Sequence, residues 1–239
     1  FSGATGFDCI INTAAYTAVD LAETEQELAE HINHLAVGHL AREAKERGIF
    51  LLQISTDYVF DGEQYRPYVE SDTTGPKNHY GMTKLQGEQA LVASGCAGAI
   101  VRTSWVYSEF GQNFVKTMLR LGRERDEINV VADQVGTPTY APDLARACLT
   151  LLQCTPLDSG IEIYHYSNEG ICSWYDFALA VFEYSGLKCN VLPITTKDYP
   201  TAAQRPYYSV LNKAKIRRQT GLVNPYWRES LQTCIRSVR

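Results

Sequence analysis

The chain has 239 residues, 45% of them apolar, seven cysteines and a formal net charge of -5. This length can bury an ordinary core, and the mildly acidic balance gives no general drive toward nucleic acid or an anionic membrane surface. The cysteines, at 9, 96, 148, 154, 172, 189 and 234, are odd in number and form no C-x-x-C pair, which disfavours a disulfide framework or a zinc site.

Reduced thiols in a cytoplasmic protein fit that pattern. No apolar run approaches the ~18 residues of a membrane span, and the first residues lack a basic segment followed by an apolar one.

In chain order, Asp8 to Ala15 reads as a buried parallel strand that leads into a loop of small residues. A helix is expected from Glu25 to Arg47, with Leu28, Ile32, Leu35, Ala36, Leu40 and Ala44 as its apolar stripe and Gly48 as its stop. Phe50 to Ser55 is the next strand, Gly81 to Ala93 the next helix, and Ala99 to Val106 a third strand. This alternation predicts an α/β fold, a doubly wound parallel sheet of Rossmann-like type with helices on both faces.

Past Tyr107 the alternation weakens and a smaller α+β region begins. It opens with a helix near Asn113 to Gly122 and a short strand at Val130 and Val131. Pro142 suits the first turn of a helix reaching Leu152, and Ile161 to Tyr166 returns as a last sheet strand. Ser173 is placed to cap a helix with Asp176 three residues on, and a final amphipathic helix spans Tyr226 to Val238. The division expected is a dinucleotide-binding domain over 1–107 and 141–168, and a substrate domain over 108–140 and 169–239.

A dinucleotide-binding sheet normally opens on a strand, a glycine-rich turn and a helix whose N-terminus holds the pyrophosphate. Gly3-Ala4-Thr5-Gly6 is a scrap of such a turn, but Asp8 starts the next strand with no room for that helix. The first βαβ unit is therefore expected to be missing from this sequence.

Tyr80 and Lys84 form a Y-x-x-x-K spacing, which puts both side chains on one helix face a turn apart. An ammonium beside a phenol, whose ordinary pKa is about 10, favours the phenolate and brings the group closer to acid-base use. Alone, the spacing is common and an exposed tyrosine with an unrelated lysine explains it. Ser55-Thr56-Asp57-Tyr58 changes the weighting, because it follows a buried strand where doubly wound sheets carry their functional loops.

The sequence resembles the extended short-chain dehydrogenases, and among them the dTDP-4-dehydrorhamnose reductases. The likeness runs through IINTAAYTAVD (10–20), STDYVFDG (55–62), PKNHYGMTK (76–84), RTSWVY (102–107), NFVKTML (113–119), DQVGTPTYAPDLA (133–145) and RPYYSVL (205–211). It implies a catalytic set of Thr56, Tyr80 and Lys84. Hydride would pass from NADPH or NADH to a sugar C4 carbonyl, Tyr80 would donate the proton, and Lys84 would lower the Tyr80 pKa and hold the nicotinamide ribose.

The same resemblance places Ala14, Ala15, Tyr16, Thr17 and Val19 against the cofactor, although strand-end packing equally explains the paired alanines. It assigns Asp57, Tyr58, Trp105, Asn113 and Arg205 to the dTDP-sugar substrate. Trp105 is as readily an inter-domain aromatic, Arg205 a structural cation, and the Asp133-Gln134 pair either part of the base pocket or a turn. Related 4,6-dehydratases carry an Asp-Glu pair after the threonine; Tyr58 in the second of those positions disfavours dehydration and favours reduction.

His31, His34 and His39 read as surface or packing residues and no metal site is expected; Pro142 stands where some relatives would want a carboxylate for a divalent ion. The competing readings are another sugar-nucleotide reductase or epimerase, and a non-catalytic dinucleotide-binding regulator resembling that of methionine adenosyltransferase. Cofactor preference between NADH and NADPH stays open, as does oligomeric state, a homodimer being one arrangement.

Overall fold

The computed structural model describes residues 6–238. Strand β1 (Cys9–Asn12) leads into one long helical arm of three pieces: α1 (Gln26–Glu30), a π-helical turn at His31–Leu35, and α2 (Ala36–Arg47). Then come β2 (Phe50–Thr56), α3 (His79–Ser94), β3 (Gly98–Thr103), β4 (Val106–Tyr107), α4 (Phe114–Glu124), β5 (Glu127–Val131), β6 (Val135–Gly136) and β7 (Thr139–Tyr140). The rest comprises α5 (Ala141–Cys154), β8 (Glu162–His165), β9 (Cys172–Ser173), α6 (Trp174–Ser185), β10 (Asn190–Ile194), α7 (Ala214–Thr220) and α8 (Trp227–Ser237).

The main sheet has the order β1-β2-β3-β8 and every pairing in it is parallel. Alternation along β2 divides the core between its two faces. Phe50 and Leu52 pack toward Leu144, Ala147 and Leu151 of α5, while Leu51 packs with Val37, Ala41 and Ala44 of α2 and Leu91 of α3. The returning strand expected near 161–166 is β8, beside β3. A separate core gathers α4, α6 and α8 around the parallel pair β5 and β10, with Phe177, Val181 and Leu231 fully buried.

Two expectations need correction. The helical arm buries Ala29, Asn33, Val37, Ala41 and Ala44, whereas Leu28 and Leu35 are 47% and 40% exposed. The π turn shifts the helical phase, and the arm lies so close to α3 that only small side chains fit between them. A Cβ on Gly87 would stand 2.1 Å from the Asn33 carbonyl oxygen. The second correction concerns the strand expected over 99–106, which breaks at Ser104 and Trp105 before β4, with Trp105 at φ 50°.

Among the described residues no helix is long and apolar enough to cross a membrane. The Gly3-Ala4-Thr5-Gly6 stretch lies, apart from Gly6, outside the described residues.

Candidate active site

Helix α3 starts where Asn78 caps it, its side chain accepting from the Gly81 amide at 2.8 Å. Gly81 itself is demanded by a close approach: a Cβ there would sit 2.3 Å from the Tyr58 carbonyl oxygen. The first turn of α3 is thereby pressed against the turn that leaves β2, which brings Tyr80 and Lys84 to Thr56.

Thr56, Asp57, Tyr58, Tyr80 and Lys84 line one cavity of about 960 Å³, together with Trp105 and Trp174. The Tyr80 hydroxyl lies beside the Thr56 side chain, and the Tyr58 ring meets the Tyr80 ring edge-on with centroids 5.5 Å apart. Lys84 is 5% exposed and donates from Nζ to the Ile54 carbonyl at 2.8 Å.

The electrostatics differ from the sequence-based expectation. Tyr80 is pushed up to about 12, chiefly by burial, with the Thr56 hydrogen bond opposing. Lys84 is lowered to about 8, again by burial, against the attraction of Glu88 one turn on. The net shift of Tyr80 is thus upward. In a site this dry both groups favour their neutral forms, and the lysine's hydrogen bond goes to a backbone carbonyl.

Of the loop expected to meet a cofactor, Ala15, Thr17 and Val19 line the cavity, and so does Thr13, which the sequence reading passed over. Ala14 and Tyr16 do not. The Ala14 amide donates to Asn12 Oδ1 at 3.2 Å, and the Tyr16 backbone is clasped by Asn33, which accepts at 2.9 Å and donates at 3.0 Å. Asn33 also donates to Thr83 Oγ1 at 3.2 Å, so the π turn aims one buried amide at both the loop and α3. Nothing in the sequence marks a π turn, and this positioning residue escaped notice.

Trp105 stacks on Trp174, with centroids 3.6 Å apart and planes 11° from parallel, so the cavity wall is an aromatic pair. Gly136 leaves room for it, since a Cβ there would meet the Trp105 ring at 2.7 Å. Trp174, on the helix capped by Ser173, was not singled out from its spacing.

Two residues assigned to the substrate are engaged elsewhere. Asn113 caps α4, accepting from the Lys116 amide and donating to the carbonyls of Ser108 and Phe110. Arg205 forms an ion pair with Asp20 at 2.6 Å. Neither belongs to the cavity lining. Asp133 and Gln134 tether Thr196. His31 and His34 bond within their own helical arm, to the Glu27 carbonyl and the Glu30 carboxylate.

The family model described as RmlD substrate binding domain matches residues 2–239. The dTDP-4-dehydrorhamnose reductase of Escherichia coli K12 is 44% identical over 229 residues, 92% of this chain and 76% of that protein. The spore coat polysaccharide biosynthesis protein SpsK of Bacillus subtilis is 44% identical over 94% of this chain and 77% of its own length.

Among solved structures, a dTDP-4-dehydrorhamnose reductase from Clostridium acetobutylicum superposes with a TM-score of 0.92 at 44% identity, over 97% of this chain and 81% of that one. The Bacillus anthracis enzyme in complex with NADP gives 0.92 at 43% identity, over 96% of this chain and 80% of that one. A dTDP-glucose 4,6-dehydratase from Streptomyces venezuelae, at 16% identity and a TM-score of 0.81, shares the fold. The cavity on a parallel sheet and this likeness, carried across nearly the whole sequence, lead to one conclusion: the chain belongs to the dTDP-4-dehydrorhamnose reductase family.

Proposed function

We propose that this chain reduces the 4-keto group of dTDP-4-dehydrorhamnose to give dTDP-L-rhamnose, using NADPH or NADH, with Thr56, Tyr80 and Lys84 as its catalytic residues. The observation that carries the reading is the convergence of these three side chains on one cavity, with Tyr80 kept neutral by burial. Reduction calls for a proton donor at the start of the step, and a tyrosine held near 12 is fully protonated at neutral pH.

The residues present fit a nicotinamide cofactor. Ala15, Thr17 and Val19 give the cavity a wall of small side chains, and the buried Lys84 ammonium lies on the same cavity as the Tyr80 hydroxyl. When bound, the cofactor supplies the hydride; the NADP complex of the Bacillus anthracis relative supports this choice. Lys84 would hold the nicotinamide ribose through its protonated Nζ. Thr56 and Tyr80 would both hydrogen-bond the sugar carbonyl oxygen, and Tyr80 would protonate it as charge develops.

Tyr58 occupies the place where a dehydratase carries its second carboxylate, and burial drives its phenol further from ionisation. It cannot abstract the C5 proton that dehydration requires. We assign 1–107 and 141–168 to the dinucleotide and 108–140 and 169–239 to the sugar nucleotide. The separate cores around the main sheet and around α4, α6 and α8 support this division. The stacked Trp105 and Trp174, one from each region, then face the sugar nucleotide.

The test is NADPH oxidation by the purified full-length protein. Turnover that depends on dTDP-4-dehydrorhamnose, with dTDP-L-rhamnose as product, is the result expected. Cofactor binding without turnover would point to the regulatory alternative, and a different sugar product to another reductase or epimerase.

A further inference from the structure

The Thr56 hydroxyl has more neighbours than its one proton can serve. Its Oγ1 accepts from the Tyr58 amide at 3.2 Å, donates to Asp57 Oδ1 at 3.0 Å, and lies beside the Tyr80 hydroxyl. A hydroxyl donates once and accepts twice. The Tyr58 amide takes one lone pair, which leaves one lone pair and one proton to be shared between Asp57 and Tyr80.

The allocation depends on whether Asp57 carries a proton. An ionised carboxylate can only accept, so it captures the Thr56 proton. The Tyr80 proton is then drawn into the remaining lone pair of Thr56, away from a substrate oxygen. A protonated Asp57 donates to Thr56 instead, which frees the Thr56 proton and the Tyr80 proton together.

We propose that Asp57 is a positioning residue which acts as a neutral acid, donating its proton to Thr56 Oγ1 so that the Thr56 and Tyr80 hydroxyls both point at the oxygen being reduced. This rests on the reduction proposed above. No proton leaves Asp57 during the cycle: the hydride forms the new C–H bond, the alkoxide takes the Tyr80 proton, and Asp57 only fixes the direction of the neighbouring hydroxyl.

The surroundings support the neutral form. Asp57 is 3% exposed, and its Oδ2 is buried without a hydrogen-bond partner, a costly place for half of a carboxylate charge and a milder one for a neutral carbonyl. Burial raises this carboxyl to about 7, with the Thr56 hydroxyl opposing.

The ionisable groups around it offer no compensating cation. Tyr80 faces it from α3 and Tyr58 from its own turn, both phenols; Arg205 and Asp20 lie beyond Tyr58 and are paired to each other. Lys84, a turn further along α3, is bonded to the Ile54 carbonyl. Ser209 stands beside the carboxyl, with its hydroxyl directed at the Val135 carbonyl at 3.5 Å.

The experiment has two independent readouts on the cofactor-loaded protein. In the first, carboxyl carbons of protein labelled with ¹³C-aspartate are followed by NMR. One aspartate is expected to titrate between about pH 6 and 8, far above the ordinary value of about 3.9, and to vanish in Asp57→Asn. In the second, kcat is followed against pH.

Wild type should lose about tenfold per pH unit above the Asp57 midpoint. In D57N the amide nitrogen donates to Thr56 at every pH, so the fall is displaced upward to the Lys84 midpoint of about 8 while KM for the sugar moves little. Overturning results are the absence of any aspartate titrating above about pH 6, or an alkaline fall at the same pH in D57N as in wild type. The NMR readout of wild type stands even where D57N fails to fold. Failure of wild type to oxidise NADPH would sink the proposed reaction alone, because the carboxyl titration decides Asp57 without turnover.

Discussion

Lys84 donates to the carbonyl oxygen of Ile54 at 2.8 Å, so the ammonium of α3 is anchored on the same strand that ends in Thr56. Lys84→Met removes both the charge and the anchor. KM for NADPH should rise and kcat should fall by about 100-fold, while far-UV circular dichroism stays unchanged. Because burial lowers Lys84 to about 8, its ammonium is lost as pH rises through that value, and cofactor affinity measured by fluorescence titration should weaken above it.

Tyr80→Phe keeps the ring that packs edge-on against Tyr58 and deletes only the hydroxyl. Cofactor affinity should therefore hold within about twofold while kcat drops by about 10² to 10⁴. Stopped-flow absorbance of NADPH with saturating sugar nucleotide separates the two. Wild-type turnover should show no alkaline loss attributable to Tyr80 below its midpoint of about 12.

Behind the site, Arg102 and Glu88 form a buried ion pair at 2.6 Å, with both side chains under 5% exposed. Ser55 Oγ donates to the same carboxylate at 2.5 Å, so β2, β3 and α3 meet on one charged group. Arg102→Met leaves that carboxylate buried and without its cation, which should cost about 3–5 kcal/mol in urea denaturation. The paired change Arg102→Met with Glu88→Leu should recover much of the loss, since it removes both charges.

Gly81→Ala tests the contact that brings α3 to the turn after β2. The added methyl would fall 2.3 Å from the backbone oxygen of Tyr58, which cannot move as a flexible side chain would. We expect a loss of about 1–3 kcal/mol in stability and a kcat that falls more than stability alone explains, since Tyr80 is displaced from Thr56. Gly48→Ala is the control for adding a methyl elsewhere, because its Cβ meets nothing within 4 Å although its φ is 63°. It should cost stability with little effect on kcat.

The raised Asp57 carboxyl has a consequence for folding as well as for the site. Its folded value of about 7 lies above its ordinary 3.8, so between these the folded protein holds a proton that the unfolded chain has released. Stability from this group is complete below the unfolded value and is lost as pH rises through the folded one. Thermal unfolding at pH 5 and pH 8 should show Asp57→Asn gaining on wild type at the higher pH, by on the order of 3 kcal/mol.

Much of the fold was legible because its signals are local. The apolar runs that begin near Asp8, Phe50 and Ala99 became parallel strands, and Ser173, with its side chain on Asp176, caps its helix. Helical spacing put Tyr80 and Lys84 on one face and Thr56 followed a buried strand, whereas their grouping as one set came from the family resemblance.

Tertiary contacts decided the rest. Leu28 and Leu35 looked like the core of their helix, but a neighbour close enough to touch the backbone at Gly87 selected alanines and Asn33 instead. The helix-capping bond of Asn113 and the ion pair of Arg205 with Asp20 were likewise visible only in the structure. The sequence by itself determined which chemistry this protein can bring to bear, since residue type and spacing along one helix or strand are covalent facts. Only the tertiary structure decided the protonation states of that chemistry, because the removal of water that raises Tyr80 and Asp57 and lowers Lys84 depends on segments distant in the chain closing over the same cavity.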